Sequence, residues 1–481
     1  MKIFKNYIYN LIFQILQLIL PIVTTPYISR VLGPTGVGTN SYTASVASVF
    51  ILVGSLGLNI HGQQEISIVR DDRAKVSLRF WQIFFLKMIF ILFSLLVYIL
   101  LIGFNGGHLF VYFLAQGVTF FSTILDISWF YMGLENFKKI LYRNLIIKLL
   151  FVSLLFIFVR NKNDTITYIL LINGLALLAS LSFWYKIPIQ KVRVIVDKKN
   201  LIYDLRSGFV LFLPQLAIQA YLVGDKIILG YLGGVKESGM FDSSNKMISM
   251  LLVVVSSIGT VTLPQLTNSF YNHQKKEFDK LIDNSFIFLN ATSIPLMFGM
   301  WVVSDIFAPM FFGDKFTGIN ILIDILAPIF VLNSWSTVIG YQYLLATKQT
   351  KKYTNSVVCG AVVSLIICFL MIPKLGALGA AVGLTCAEFV TTLVQVTQTA
   401  REIQYRKILF SSWKYLAGSV LFFLVDMILK KLVAPKVDIF FSLLILIVVA
   451  GVIYVVFLYF TRADVLDLAT GLLKKRRAKN G

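Results

Sequence analysis

DIFFSLLILIVVAGVIYVVFLYF, residues 438–460, carries no charge beyond its first position. A bilayer core about 30 Å thick asks for roughly 20 consecutive apolar residues per helix, and this run supplies them. It is continuously apolar, with none of the inside–outside alternation of a membrane β-barrel strand. Thirteen similar stretches precede it, at about 7–28, 39–62, 81–103, 109–131, 144–159, 166–186, 208–230, 240–265, 281–307, 319–345, 354–372, 376–397 and 411–429. Hydrophobic residues make up 57% of the 481 and charged residues 14%, too few to cover a water-soluble fold. The pattern predicts an all-α polytopic membrane protein with fourteen transmembrane helices. Met1-Lys2-Ile3-Phe4-Lys5 resembles the start of a signal peptide, but the span behind it is too long for one and lacks a small-residue cleavage site. It is expected to stay as a helix.

The formal net charge of +21 invites a nucleic-acid reading, which the positions of the charges oppose. With fourteen spans, 32 Lys and Arg fall in the even-numbered loops, the two termini and the span ends that adjoin them (Lys148, Lys186 and Lys414), and 9 on the other side. Lys87, Lys226 and Lys246 lie in or at the edge of spans. This is the positive-inside asymmetry, so both termini are expected in the cytoplasm of a bacterial plasma membrane protein. The tail Lys474-Lys475-Arg476-Arg477 suits anionic membrane lipids. Loops are short on both faces, leaving no room for a soluble domain.

The second half echoes the first. Arg30-Val31-Leu32-Gly33-Pro34-Thr35-Gly36-Val37-Gly38 has a counterpart in Gly230-Tyr231-Leu232-Gly233-Gly234-Val235-Lys236-Glu237-Ser238-Gly239, with Gly38 opposite Gly239. Gly57 falls opposite Gly259, and Tyr142-Arg143-Asn144 opposite Tyr353-Thr354-Asn355. The order is consistent, at offsets of about 201 to 211 residues. It implies two six-helix lobes, 1–200 and 201–407, around a central cavity, with two further helices and a basic tail in 408–481. Both lobes begin and end on one face, a parallel repeat suited to alternating access.

Polar residues inside the spans are the candidate site. Span 1 carries Gln14, Gln17, Pro21, Thr24, Thr25 and Pro26, and span 7 carries Pro214, Gln215, Gln219, Asp225 and Lys226. Prolines free backbone groups that protein or water must satisfy, which favours a cavity wall over a lipid face. A charge at mid-span costs about 2.5–3.5 kcal/mol on insertion scales. Asp225 and Lys226, about 100° apart on a helix, each need another partner, either a buried ion pair or substrate. Lys246 can pair with Asp242 one turn away. Arg30 is read either as a headgroup anchor or as an anion contact. Asp126, Glu388 and Asp426 are carboxylates that could carry a proton or simply bond a neighbouring helix, the first two being the coupling candidates. Lys87 is expected to snorkel to the headgroups, and His61 to lie at the interface. Cys359, Cys368 and Cys386 form neither a disulfide framework nor a zinc spacing. No phosphate-binding Gly-x-x-x-x-Gly-Lys-Ser/Thr loop and no hydrolase motif occurs, so the reading includes no cofactor and no enzyme activity.

Several stretches together resemble the polysaccharide flippases (Wzx-like) of the multidrug/oligosaccharidyl-lipid/polysaccharide exporter superfamily. They are Arg30-Val31-Leu32-Gly33-Pro34-x-Gly36-x-Gly38, Gly54-Ser55-Leu56-Gly57-Leu58 leading to Gly62 and Glu65, and Asp126-Ile127-Ser128-Trp129-Phe130-Tyr131-Met132-Gly133-Leu134-Glu135. Asp225-Lys226-Ile227-Ile228-Leu229-Gly230 and Pro373-x-x-Gly376-Ala377-x-Gly379-Ala380-Ala381 continue the series. The resemblance spans nearly the whole chain. It implies an undecaprenyl-pyrophosphate-linked oligosaccharide as substrate, moved from the inner to the outer leaflet, with a polymerase and a chain-length regulator as partners. It also implies a groove at spans 13 and 14 for the lipid tail. The alternatives are a multidrug or cation antiporter of the same superfamily, and a membrane-embedded polymerase or ligase, which would carry a large outward loop.

Overall fold

A computed structural model describes residues 2–190, 198–433 and 437–468; within them side chains are described from Leu20 onward, with interruptions chiefly in the seventh and eighth predicted spans. Every regular element among the described residues is helical. In chain order they are α1 (Lys2–Ser55), α2 (Leu58–Val69), α3 (Arg73–Asn105), a 3₁₀ turn at Gly107–Leu109, α4 (Phe110–Gln116), α5 (Val118–Leu125), α6 (Ser128–Gly133), α7 (Phe137–Phe158) and α8 (Thr165–Ser182). There follow α9 (Lys198–Leu232), α10 (Val235–Tyr271), α11 (Lys275–Phe312), α12 (Ile319–Leu326), α13 (Ile329–Ser336), a π-helix at Thr337–Leu344, α14 (Thr350–Leu375), α15 (Ala377–Thr399), α16 (Tyr405–Val433) and α17 (Ile439–Phe460). Among the described residues, 11 helical segments are long and apolar enough to cross a membrane, so the protein is a multi-pass membrane protein.

The loop expected around 29–38 is not a loop. Helical backbone runs through all 54 residues of α1 except at Gly33, where φ is 69° and ψ 179°. A straight helix of that length would reach about 80 Å, far beyond one bilayer. Pro34 disfavours helical backbone at the residue before it, and glycine adopts positive φ without a Cβ penalty. Pro34 then stands where proline is tolerated, at the first position of the second arm. Predicted spans 1 and 2 are thus two arms meeting at a single residue.

Predicted spans 4 and 10 are both broken. The first is interrupted at Gly117 and again at Asp126–Ile127, between α5 and α6. The second is interrupted at Ala327–Pro328 and then passes into the π-helix. Gly117 to Pro328 and Asp126 to Thr337 are each displaced by 211 residues, within the offsets of the sequence repeat.

Contacts divide the chain into two compact units, Met1–Gly239 and Met240–Gly481. The division falls beyond residue 200, because α9 packs against α1 and α2. The first unit has an aromatic core of Phe80, Phe84, Trp129, Phe130 and Phe183. In the second, Phe286 and Val338 anchor one buried cluster, and Tyr415, Phe422 and Tyr454 another on α16 and α17.

Candidate functional site

The first unit holds three polar centres. The most concentrated joins α2, α3 and α9. Asp204 Oδ1 lies 2.7 Å from His61 Nε2 and accepts from Arg79 Nη2 at 2.7 Å, while Asp204 Oδ2 accepts from Arg79 Nη1 at 3.3 Å. Arg79 also donates through Nε and Nη2 to Glu65 Oε2, at 3.0 and 2.7 Å, and through Nη1 to Gln82. The Tyr203 hydroxyl donates to Glu65 Oε1 at 3.2 Å. The side chains of His61 and Asp204 are 3% and 2% exposed, those of Arg79 and Glu65 13% each. A bidentate guanidinium–carboxylate pair is among the stronger polar contacts in proteins, and burial makes losing one partner costly. His61, expected at the membrane interface, is thus a buried residue paired with Asp204.

The second centre sits at the break in span 4. Asp126 caps the restart of the helix, accepting from the Ser128 amide and hydroxyl at 3.0 Å each, with Arg143 Nη1 3.8 Å from its carboxylate. Lys87 donates to the Asp126 carbonyl at 2.9 Å and is 1% exposed. The break frees that carbonyl from its helical bond, and the lysine satisfies it. The expected snorkelling of Lys87 is thus overturned. Arg143 stacks over Phe183, its guanidinium carbon 4.1 Å from the ring centroid.

The third centre is an amide network. Gln116 Nε2 reaches Asn40 Oδ1 at 3.2 Å and Thr43 Oγ1 at 3.1 Å, and Asn173 Nδ2 reaches Gln116 Oε1 at 2.9 Å. It ties α1 to α4 and α8 through groups buried in the span.

The other sequence candidates are spread out. Thr24 donates to Leu20 O of its own helix, and Thr25 is half-buried. Gln219 Nε2 reaches Ser48 Oγ on α1 at 3.0 Å. Asp225 is buried, Lys226 half-buried, and Arg30 exposed. The Gln17 side chain lies outside the described residues, as do Gln14 and the basic tail. In the second unit Lys246 pairs with Asp242 at 2.6 Å, and Glu388, buried on α15, accepts from Asn333 at 3.3 Å. Asp126 and Glu388 thus belong to different units.

The two units share one local device. Lys139 at the start of α7 donates to the Tyr131 hydroxyl at 2.7 Å and to the Phe183 and Tyr185 carbonyls at 3.2 and 2.9 Å. In the second unit Lys352 at the start of α14 donates to Gln398 O at 3.2 Å and Glu402 Oε1 at 2.7 Å, and the Tyr343 hydroxyl donates to Glu402 Oε2 at 3.0 Å. Burial pushes the Glu402 carboxyl up, but the bonds from Lys352, Gln349 and Tyr343 outweigh it and hold it below the usual carboxylate range.

The second unit also contains an apolar cleft of about 600 Å³ between α11, α13, α15 and α16, with Ile294, Val331, Trp335, Phe389, Leu409 and Leu416 among its walls. Asn290, at its edge, is bonded to Ser412 and to the Trp335 indole at 2.8 Å each, so these polar groups satisfy one another.

The residues of the first polar centre could not be grouped from sequence. They lie at 61, 65, 79 and 204, with no helical spacing linking the fourth to the rest.

Helices broken in parallel at spans 4 and 10, with ionic and amide ties buried between neighbouring helices, define a polytopic membrane protein with polar centres inside its helical bundle. Residues 3–270 match the family model described as polysaccharide biosynthesis protein, and the chain belongs to that family. It is 25% identical over 399 residues to a protein named for O-antigen transport in Escherichia coli (strain K12), covering 81% of this chain and 94% of that one. It is 24% identical over 407 residues to the capsular polysaccharide biosynthesis protein CapF of Staphylococcus aureus, covering 81% and 97%. Its fold is similar to that of the lipid II flippase MurJ in an inward closed conformation, with TM-score 0.70 at 14% identity over 96% of this chain and 99% of that one.

Proposed function

We propose that this protein is a flippase that carries undecaprenyl-pyrophosphate-linked oligosaccharide repeat units from the inner to the outer leaflet, for capsule, exopolysaccharide or O-antigen assembly. The observation that carries the reading is membership of the polysaccharide biosynthesis family together with relatives, matched over most of their length, that are named for O-antigen transport and capsule synthesis. The physics supports it. Sugar hydroxyls and a pyrophosphate lose several kcal/mol per unmade hydrogen bond in hydrocarbon, so they need a polar path. The lipid tail needs none, and an apolar cleft beside α16 suits a chain that stays in the bilayer.

In this reading the chain has fourteen transmembrane helices in two lobes, 1–200 and 201–407, with residues 408–481 added. The matched helix breaks 211 residues apart and the tie of Tyr131 to Lys139, beside that of Tyr343 to Lys352 through Glu402, support that repeat. Both termini are cytoplasmic, in a bacterial plasma membrane, by the charge asymmetry. The lobes open alternately, with Gly33 and Gly233 at the outer turns and Gly36, Gly38 and Gly239 in the helices that leave those turns. Lys226, Asp225, Arg30, Gln17, Thr24, Thr25, Gln219 and Lys246 line the sugar and pyrophosphate path, and Asp126 and Glu388 are its coupling residues. A polymerase and a chain-length regulator receive the product.

Deleting the gene should accumulate lipid-linked repeat units on the cytoplasmic leaflet. Lys226→Ala should impair export while the protein still inserts, and Lys226→Arg should retain more activity, since charge matters most at a point contact. Normal export by Lys226→Ala would remove that residue from the path.

A further inference from the structure

We infer that Arg79 and His61 form the first docking site for the substrate's pyrophosphate, and that Asp204 occupies that site in the present structure as a built-in anion. The inference rests on the flippase reading above and adds to it a specific anion site outside the expected cavity residues.

Asp204 is held as a bound oxyanion would be. Its two oxygens face the two Nη atoms of Arg79 at 2.7 and 3.3 Å, and Oδ1 also lies 2.7 Å from His61 Nε2. An ionised carboxylate only accepts, so Nε2 is the donor. The guanidinium fork fits carboxylate and phosphate oxygens alike. Glu65 holds the other edge of Arg79 and fixes its plane, so Arg79 stays oriented when Asp204 leaves. Removing one partner from a buried ion pair is costly because a charge is stranded; exchanging one anion for another keeps Arg79 paired, provided the displaced Asp204 reaches water as α9 moves. A pyrophosphate can therefore replace Asp204 where water alone would not.

Access and release follow from the same geometry. Lys75, one turn before Arg79 on α3 and paired with Asp72 at 3.3 Å, is exposed and marks the solvent side of the group. Tyr203, 52% exposed, bonds Glu65 over the group and can swing away. Asp204 is on α9, whereas His61 and Arg79 are on α2 and α3, so exchange unties α9 from both. Beside the knot, Gly57 and Gly208 bring the backbones of the α2 and α9 segments together; a Cβ on Gly57 would overlap the Gly208 carbonyl oxygen. Asp204 thus links arrival of the anion to separation of α9 from α2.

The test uses the full-length protein in lipid nanodiscs, in a cysteine-free background, with spin labels at Ile68→Cys and Ile202→Cys, exposed positions on α2 and α9. Farnesyl pyrophosphate is the probe and farnesol its anion-free control. The pyrophosphate should lengthen the label separation in the wild-type knot, and farnesol should not. Asp204→Asn should start at the longer separation and bind farnesyl pyrophosphate about tenfold more tightly, because the closed form no longer subtracts from the binding-competent population. Binding of equal strength to both forms with an unchanged separation would overturn the inference while leaving the flippase reading standing. Should Asp204→Asn not fold, the wild-type separation with and without probe decides alone. No binding of farnesyl pyrophosphate at all would count against the flippase reading, and this inference would fall with it.

Discussion

Gly38 and Gly239 meet backbone to backbone. A Cβ built on Gly38 would overlap the Val235 carbonyl oxygen, and one on Gly239 would overlap the Pro34 carbonyl oxygen. Each clash is with the residue four positions before the other glycine, so the relationship is reciprocal. The sequence repeat places the same two glycines opposite each other.

Gly38→Ala should therefore destabilise the protein. Overpacking against fixed backbone costs about 1–3 kcal/mol, more than the helix propensity of about 1 kcal/mol that alanine adds. Gly103→Ala, with nothing within 4 Å of its Cβ, is the matched control. Thermal unfolding in detergent should show a lower midpoint for Gly38→Ala and none for Gly103→Ala. Equal midpoints would mean the contact yields without cost.

Lys87→Met should remove the partner of the Asp126 carbonyl at the span 4 break. An orphaned buried acceptor costs about 1–3 kcal/mol. Lys75→Met, at a side chain 70% exposed, should change stability by less than about 0.5 kcal/mol. Chemical denaturation of the two variants side by side checks this, and an unaffected Lys87→Met would mean the carbonyl finds another donor.

Glu402 gives a pH dependence with a defined sign. Its folded carboxyl lies below the ordinary value, which is about 4.3 for an unfolded glutamate. The stabilisation is therefore complete above that ordinary value and is lost as pH falls through the lowered folded value. Wild type should exceed Glu402→Gln in unfolding temperature at pH 7, and the gap should close on acidification below about pH 4. A gap that widened on acidification would contradict the assignment.

The charge asymmetry predicts that residues 162 and 315 face outward. Cysteines replacing Lys162 and Lys315 should react with a membrane-impermeant thiol reagent on intact cells. Reaction only after lysis would invert the topology.

The class of fold was legible because hydrocarbon accepts little besides closed hydrogen-bonded helices, and 438–460 has no other reading. Gly38 and Gly239, set opposite each other by the sequence comparison of the two halves, approach closely in the structure. Gly33 was harder: a Gly-Pro pair reads as a loop, and only the backbone shows that one residue accomplishes the change. Lys87 misled because a lysine two turns into a span can either snorkel or find a carbonyl, and the freed carbonyl at Asp126 depends on a break in another helix. Asp204 was hidden in the long connection before predicted span 7, which was counted mainly for its cations. Its partners lie more than a hundred residues earlier, at a distance that helical periodicity does not reach.

The central claim is tested most directly by reconstitution. Purified protein in liposomes carrying a fluorescent undecaprenyl-pyrophosphate oligosaccharide on both leaflets should render the inner pool accessible to an external, membrane-impermeant glycosidase, while protein-free liposomes keep it protected. Protection that is equal with and without the protein, with the native lipid-linked glycan of its own host as substrate, would contradict the flippase account.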